Sequence, residues 1–331
     1  MKSLQSRSFR QAGHAVGWIF VLVGLLTFLF IPVPTHTALW RAINNFAHLP
    51  LFGIVGLVLL HLLRMMVAAT LWSPIRQYLV AMLGVLGLAL LTEALQSLSA
   101  TRHPEWSDVL HDLGGALCGL GVFLTYDPWL TGSLARWRQF PRNAIVRGWV
   151  FVVVGIALVP TMGWAYAYWD RAQRFPSILQ FSSSWELKFV KASNSAIQVV
   201  EPPQGWRKSA EDQVGKVEFY PQKYPGIRIE EPYPDWRGLT SFQLDVFSEL
   251  QNPQSVVIRI DDAHHNNDYT DRFNQAFTIV PGLNHIEIPL ERIRQAPLVR
   301  EMDLSALKSI IIFAVNPPKA FSLYVDNFRL E

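Results

Sequence analysis

Residues 148–169 read GWVFVVVGIALVPTMGWAYAYW, and none of these side chains is charged. A helix needs about 20 mainly apolar residues to cross the roughly 30 Å hydrocarbon core of a bilayer. The stretch therefore predicts a membrane-spanning helix. It also divides the chain, because long apolar runs precede it and alternating apolar and polar residues follow it.

Four more apolar stretches lie upstream, at Ala15–Val33, Phe46–Leu63, Tyr78–Leu98 and Val109–Tyr126. The first follows a basic N-terminus, as a signal peptide does, but its apolar run is too long and has no small-residue cleavage site at its end. We therefore expect an uncleaved helix. Together with residues 148–169, the sequence predicts five transmembrane helices.

Composition and charge differ between the two halves. The 331 residues are 50% hydrophobic and 17% charged, with one cysteine, which excludes a disordered chain and a disulfide scaffold. Residues 1–169 hold 11 Lys/Arg against 5 Asp/Glu, whereas residues 170–331 hold 18 against 21. The acidic balance of the second half disfavours binding to nucleic acid.

Basic residues between the apolar stretches predict the orientation. The N-terminus, the second–third joint and the fourth–fifth joint hold nine Lys/Arg, and the alternate joints hold two. Basic joints stay in the cytoplasm. We expect a protein of the cytoplasmic membrane with its N-terminus in the cytoplasm. With five crossings, everything after Trp169 lies outside.

Polar residues collect at the predicted outer ends of the helices. We call them the membrane polar cluster: His48, Glu93, Gln96, Arg102, Ser107, Asp108 and Asp112. His48 is expected to open the second helix. Ionisable groups in membrane segments are costly and are usually functional. The alternative is a structural network that joins the helices, for example through an ion pair of Arg102 with Glu93 or Asp108.

The same residues resemble those of VanZ-like membrane proteins over about residues 15–127. The similarity is carried by Asn45-Phe-Ala-His48-Leu-Pro-Leu-Phe52-Gly53, Glu93-Ala-Leu-Gln96, Arg102, Ser107-Asp108 and Gly114-Gly115 with Gly119. The family usually has a charged residue a few positions before the histidine, where this chain has Asn44 and Asn45, and Asn in place of Asp112. The resemblance implies work in the cell envelope, of the kind associated with resistance to teicoplanin-type glycopeptide antibiotics.

The C-terminal part has the alternation of β-strands. Nine strands are predicted, at Trp185–Lys191, Ile197–Val200, Val214–Tyr220, Gly226–Glu230, Thr240–Ser248, Val256–Asp261, Ile286–Leu290, Ser309–Val315 and Phe321–Val325. Ser309–Val315 is apolar on both faces, which is typical of a central strand, and a short helix is expected near Leu304–Lys308. This pattern favours an all-β jelly roll or sandwich.

Three domains follow from these patterns. Residues 1–127 form a four-helix membrane domain, and residues 128–175 hold a basic cytoplasmic loop, the fifth transmembrane helix and a short linker. Residues 176–331 form an extracytoplasmic β-sandwich.

The β-rich part resembles carbohydrate-binding modules of the galactose-binding type over most of residues 180–331. The similarity is carried by Asp235–Phe247, Pro281–Leu290 and Leu323–Leu330. It implies a jelly-roll fold and either a bound glycan or a protein contact.

The stretch Asp261–Phe273 is the richest in groups that bind sugars. Planar hydrogen-bonding groups and aromatic faces suit sugar hydroxyls and ring C–H groups, and they are provided by His264, Asn266, Asn267, Tyr269 and Arg272, with Trp236 as a stacking ring. The alternative is a solvated loop in which Asp271 pairs with Arg272 while Trp236 fills the core. The aspartates also make Ca²⁺ a possible ligand, although their spacing matches no calcium-loop signature.

The chain has no nucleotide-binding fingerprint, no Gly-x-Ser-x-Gly motif and no zinc-ligand spacing. We therefore expect a membrane protein that displays a glycan-binding module, with membrane lipid and an envelope glycan or glycolipid as partners. The alternative is a membrane-embedded enzyme in which Glu93, Asp108 or His48 acts as acid or base on a lipid-linked substrate.

Overall fold

A computed structural model describes residues 2–29, 37–66, 72–98, 106–127, 142–206 and 212–331, without the side chains of residues 2–12 and 142–143. The chain divides into two compact units, Met1–Trp164 and Ala165–Glu331. Arg102 of the membrane polar cluster lies outside the described residues.

The described helices fall on all five predicted apolar stretches. They are α1 (Lys2–Phe28), α2 (Ala38–Met66), α3 (Pro74–Gln96), α4 (Trp106–Tyr126) and α5 (Arg142–Arg174), and α5 contains the division between the units. Among the described residues, α2, α3, α4 and α5 are long and apolar enough to span a membrane, whereas the apolar part of α1, Gly13–Phe28, is shorter. The predicted count of five spans is therefore not confirmed.

Glycines bring α2 and α4 into backbone contact. A Cβ added to Gly115 would lie 2.1 Å from the Leu49 carbonyl oxygen, and one added to Gly119 would lie 2.5 Å from the Gly53 carbonyl oxygen. Small residues spaced four apart permit such close approach of two helices. This contact brings His48 of α2 and Asp112 of α4 within hydrogen-bonding distance of each other.

The prediction that His48 opens the second helix is wrong, because α2 begins at Ala38. Thr37 precedes the helix, and its side-chain oxygen accepts a hydrogen bond from the Trp40 amide at 3.3 Å. Such a bond satisfies an N-terminal amide that lacks a partner within the helix. His48 consequently lies well inside α2.

The second unit is an antiparallel β-sandwich, as predicted. Its strands are β1 (Ser177–Leu179), β2 (Val190–Ser193), β3 (Ser195–Val200), β4 (Val214–Phe219), β5 (Gly226–Glu230), β6 (Ser241–Ser248), β7 (Gln254–Asp262), β8 (Phe273–Ile279), β9 (Gly282–Pro289), β10 (Leu307–Phe313) and β11 (Phe321–Leu330). One sheet has the order β3-β4-β11-β6-β9, with β1 also paired to β11, and the other has the order β2-β5-β10-β7-β8. The predicted central strand is β10, in the middle of the second sheet.

The prediction of a strand over Trp185–Lys191 is wrong in its first part. Glu186–Phe189 forms a 3₁₀ turn, and β2 starts only at Val190. The Glu186 carboxylate accepts a hydrogen bond from the Ser182 amide at 3.0 Å and lies 3.5 Å from the Arg174 guanidinium. These contacts hold the segment curled. Two strands that the sequence did not predict, β1 and β8, are present.

The short helix lies elsewhere than predicted. Helix α6 is Leu290–Arg294, with its apolar residues Leu290 and Ile293 buried against the sandwich. Leu304–Lys308 is not helical, because β10 begins at Leu307, which pairs with Asp262 of β7.

Candidate functional site

A groove of about 580 Å³ runs over the outer face of the five-stranded sheet. Side chains alternate between the two faces of a strand. In β5, β7 and β10 the inward set, including Ile229, Ile260 and Ile310, fills the core. The outward set is therefore free to line the groove.

The strand register places the outward side chains in two rows. In one row, Ile311 of β10 is paired with Arg228 of β5 on one side and with Arg259 of β7 on the other, and Arg259 is paired with Asn274 of β8. In the parallel row, Phe313 takes the place of Ile311. In the first row the apolar Ile311 thus lies between polar side chains, whereas in the second row Phe313 lies between Gly226 and Val257.

Two exposed tyrosines lie in the lining of the groove. Tyr269 is 66% exposed and Tyr224 is 50% exposed. The Tyr269 hydroxyl accepts a hydrogen bond from the Asn274 side-chain amide at 2.9 Å, and the Arg272 guanidinium lies 5.0 Å from the centre of the Tyr269 ring. Tyr224 packs edge-on against Phe313, with ring centroids 5.7 Å apart. Both rings are therefore held in place and still have accessible surface.

Three arginines, Arg228, Arg259 and Arg272, line the groove, and the described lining residues include no Asp or Glu. Arg259 contacts Asp261 at 3.1 Å. Burial lowers the pKa of Arg259; Asp261 acts in the opposite direction, and the positive charges of Arg272 and Arg228 lower it further. Arg272 and Arg228 are therefore each close enough to Arg259 to repel its guanidinium group.

The structure places two of the glycan-binding candidates, Tyr269 and Arg272, in the lining of this groove. His264, Asn266 and Asn267 lie outside it, in the turn that precedes Tyr269. The Asn266 side chain accepts a hydrogen bond from the Asp268 amide, and Asn267 has a left-handed φ of 75°. These residues shape the turn.

Trp236 is also outside the groove. Its side chain is fully buried, with the ring stacked on Phe242 at 5.5 Å between centroids. The indole N–H donates to the Tyr233 carbonyl oxygen at 2.6 Å. Trp236 has no exposed face on which a sugar can stack, and it belongs to the core.

Arg300 lies between the aspartates of the β7–β8 connection. Its guanidinium donates to Asp262 at 2.5 and 2.8 Å and to Asp271 at 2.6 and 3.1 Å. Arg300, rather than Arg272, is thus the cation that pairs with Asp271. The same arginine is where a calcium ion bound by these two carboxylates would have to sit, and the described residues contain no cluster of three or more metal-ligating side chains.

These contacts lower the pKa values of both carboxyl groups. The Arg300 hydrogen bonds, aided by the Asn266 amide, lower the pKa of Asp271 to about 2. Burial raises the pKa of Asp262, but hydrogen bonds from Arg300 and from the Asp303 amide outweigh burial and leave it below its ordinary value. Both groups are therefore ionised at neutral pH.

Several lining residues were not singled out from the sequence as site residues: Ser193, Tyr224, Gly226, Ile227, Arg228, Val257, Arg259, Asn274, Ala276, Ile311, Phe313 and Val315. The available signal was an arginine between β-branched neighbours at an outward strand position, as at Arg228 and Arg259. That signal shows which face a residue occupies, but the pairing of distant strands decides which outward residues meet.

In the first unit, helix packing brings together part of the membrane polar cluster. His48 Nδ1 lies 2.8 Å from Asp112 Oδ1, and both side chains are buried. Glu93 and Gln96 are buried near the end of α3. Ser107 and Asp108 lie in the first turn of α4. Asp112 Oδ2 has no hydrogen-bond partner among the described residues.

A second polar network in this unit was not predicted. Asp127 follows α4 and accepts hydrogen bonds from Arg64 at 2.5 Å and from the Tyr78 hydroxyl at 2.9 Å. Arg64 also donates to the Gln77 side chain at 2.9 Å. The network joins the end of α2, the start of α3 and the end of α4.

No family model and no curated protein matches this chain. Solved structures with some similarity include an exo-beta-agarase, at 14% identity and a TM-score of 0.39, over 47% of this chain and 24% of that one. The family 11 carbohydrate-binding module from Clostridium thermocellum, in complex with a beta-1,3-1,4-mixed-linked tetrasaccharide, is 18% identical with a TM-score of 0.34, over 43% of this chain and 86% of the module.

The CBM22-2 xylan-binding domain of Paenibacillus barcinonensis Xyn10C is 14% identical with a TM-score of 0.32, over 46% of this chain and 96% of that domain. This chain thus spans about a quarter of the agarase and most of the two modules. Similarity at this level carries no information on the ligand.

Proposed function

We propose that this chain is an integral membrane protein that binds a glycan in the groove of its β-sandwich. The groove carries the proposal, because it combines exposed aromatic rings with planar hydrogen-bonding side chains on a rigid sheet. Tyr224 and Tyr269 offer faces for the C–H side of sugar rings, and Asn274 and Arg272 offer groups for hydroxyls. Rigid platforms lose little conformational entropy on binding.

Binding of glycans to the full chain in a non-ionic detergent tests this proposal. Envelope polysaccharides, peptidoglycan fragments and simple sugars are titrated, and we expect saturable binding to at least one class. Tyr269→Ala should remove most of that affinity without lowering the melting temperature, because the ring is 66% exposed. Tyr220→Ala, which removes a half-buried tyrosine outside the groove lining, is the control.

The outcome separates glycan binding from a protein-docking role. A folded chain that binds none of these glycans would overturn the proposal, and so would binding that Tyr269→Ala leaves unchanged.

The membrane half of the chain supports a location for this glycan binding in the cell. The VanZ-like residue pattern over about 15–127 and the positive-inside count support a protein of the cytoplasmic membrane that displays its sandwich on the outside. There it serves as an accessory factor that engages an envelope glycan or a glycolipid. Expression in a susceptible host should raise the teicoplanin concentration needed to stop growth if the VanZ-type role applies; unchanged susceptibility would count against it.

One observation favours a second function, a membrane-embedded enzyme. His48 and Asp112 form a buried hydrogen-bonded pair, with the buried Glu93 nearby in the same unit. A carboxylate that fixes the orientation of an imidazole is a common arrangement for proton transfer. In this alternative, Glu93, Asp108 or His48 acts as acid or base on a lipid-linked substrate.

The variant Glu93→Gln distinguishes the enzyme hypothesis from the alternative that the membrane polar cluster is a structural network. The enzyme hypothesis expects turnover of lipid-linked envelope precursors to stop while the melting temperature stays the same. A parallel loss of folded protein would instead show that the cluster holds the helices together.

A further inference from the structure

We infer that the glycan held in this groove is acidic, with carboxylate or sulfate groups that contact Arg228, Arg259 and Arg272. The inference rests on the proposed function and narrows its ligand class. It goes against the overall charge of the sandwich, because residues 170–331 carry more Asp/Glu than Lys/Arg. The positive groove is therefore a local feature of the sheet.

The charge of the groove is not neutralised by its own lining. The described lining residues include three arginines and no carboxylate. Arg259 forms an ion pair with Asp261, which lies outside the groove lining. The side chains of Arg228 and Arg272 make no hydrogen bond or ion pair with the other residues that the structure describes, although the Nε atom of Arg272 is itself buried. Two of the three guanidinium groups thus keep donors for a ligand.

The spacing of the arginines fits a polymer better than a single small anion. Arg228 and Arg259 are paired on opposite sides of Ile311, so they are two strands apart, or about 10 Å. Arg272 lies beyond Arg259, beside the exposed Tyr269 ring. Separate anionic groups along an extended chain can meet these positions, with the apolar Ile311 between Arg228 and Arg259.

Arginine is the side chain suited to this recognition. Its planar fork donates two parallel hydrogen bonds to one carboxylate or sulfate, and bonds to charged groups are about twice as strong as neutral ones. Burial is the main cause of the lowered pKa of Arg259, and the positive charges of Arg272 and Arg228 lower it further. Binding of an anion relieves this repulsion at Arg259. A neutral glycan gives no such relief.

Binding of charged and uncharged versions of the same polymers tests the inference. The full chain in a non-ionic detergent is titrated with polygalacturonate, with its uncharged methyl ester, with dextran sulfate and with dextran. We expect the acidic polymers to bind at least about tenfold more tightly than their uncharged counterparts, with an affinity that falls as salt rises. The preferred member of the acidic pair distinguishes carboxylate from sulfate.

Point variants distinguish binding at the groove from attraction of the acidic polymer to basic residues elsewhere in the chain. Arg228→Gln and Arg272→Gln should each weaken binding to the acidic polymer by about tenfold, since each removes a charge-assisted contact. Arg237→Gln, at an exposed arginine paired with Asp235 outside the groove lining, should leave binding unchanged. Equal melting temperatures of the three variants would show that folding is not the cause.

Each outcome has a distinct meaning. Equal binding of the acidic and uncharged polymers would overturn the inference and leave the glycan-binding function standing. Acidic binding that neither groove variant weakens would also overturn it, and would assign the attraction to other basic residues. Binding of no glycan at all would overturn the proposed function as well.

Discussion

Arg300 supports the loop that carries Tyr269 to the groove. It holds two aspartates from opposite ends of the β7–β8 connection, Asp262 and Asp271, with four hydrogen bonds. Asp271 in turn accepts a hydrogen bond from the Asn266 amide at 2.9 Å, so the arginine fixes the turn through its partner.

Acid should destabilise this arrangement. The folded-state pKa of Asp271 is about 2, and that of Asp262 is also lowered, against an ordinary value of 3.8. Groups with depressed pKa values stabilise the fold above their unfolded pKa and lose that contribution as pH falls towards the folded value. We expect the melting temperature of the full chain to fall between about pH 4 and pH 2.

Arg300→Gln is the matching variant. It should lower the melting temperature at neutral pH, because two ionised carboxylates lose their cation, and it should make the fall below pH 4 shallower. Excess calcium should not raise the melting temperature of the unmodified chain, since Arg300 occupies the position between the carboxylates. A calcium-dependent rise, or an unchanged acid profile in Arg300→Gln, would contradict this account.

At the residue scale, the sequence indicates chemistry better than location. The sequence predicts that Tyr269 and Arg272 bind a glycan, and both lie in the groove lining. Trp236 is also an aromatic residue of a type that stacks on sugars, yet it is buried. Burial of its large ring against Phe242 removes apolar surface from water and stabilises the fold. Arg228 and Arg259 were missed because their proximity depends on β10 lying between two strands distant in sequence.

The glycines of α4 make a prediction at the element scale. Gly115→Ala places a methyl group 2.1 Å from the Leu49 carbonyl oxygen, so α2 and α4 must separate. Overpacking costs about 1–3 kcal/mol even where side chains are able to move, and here the obstacle is backbone. We expect a clear fall in the melting temperature in detergent and a lower yield of folded protein.

Gly114→Ala is the control from the neighbouring position. A Cβ there meets no atom within 4 Å of those that the structure describes. This variant should be as stable as the parent, or slightly more stable because alanine favours helix. If both variants behaved alike, close packing at Gly115 would not be what joins these two helices.

Elements with strong periodicity were predicted well, and those that depend on local contacts were not. Ser241–Ser248 and Gln254–Asp262 lie almost where alternation placed them. The 3₁₀ turn at Glu186–Phe189 depends on hydrogen bonds that the Glu186 carboxylate accepts from backbone amides, and a hydropathy pattern does not reveal such bonds. Strand β8 was missed because its inward set is interrupted by Gln275.

The side of the membrane that the sandwich occupies depends on the number of crossings. The apolar part of α1, Gly13–Phe28, corresponds to about 24 Å of helix, somewhat less than the roughly 30 Å core. If α1 crosses, five spans place the two ends of the chain on opposite sides. If it does not, four spans place them on the same side.

Reporter fusions after Glu331 decide this question. We expect alkaline phosphatase, which is active only outside the cytoplasm, to be active there, and a green fluorescent protein fusion that folds only in the cytoplasm to stay dark. Removal of residues 1–29 should reverse or scramble this pattern, because it removes one crossing. Bright fluorescence from the full-length fusion would exclude an external sandwich.

The last turns of α5 bear on how the sandwich responds to mechanical load. Within the second unit, Tyr168 donates to the Glu231 carboxylate, Arg171 donates to the Glu231 carbonyl oxygen, and β1 pairs with the C-terminal strand β11. Tension on a long polymer held at the sheet would therefore reach the helix along several parallel routes instead of one flexible linker. If the groove binds a glycan as proposed, a force on that glycan would be transmitted to the last turns of α5 through these contacts.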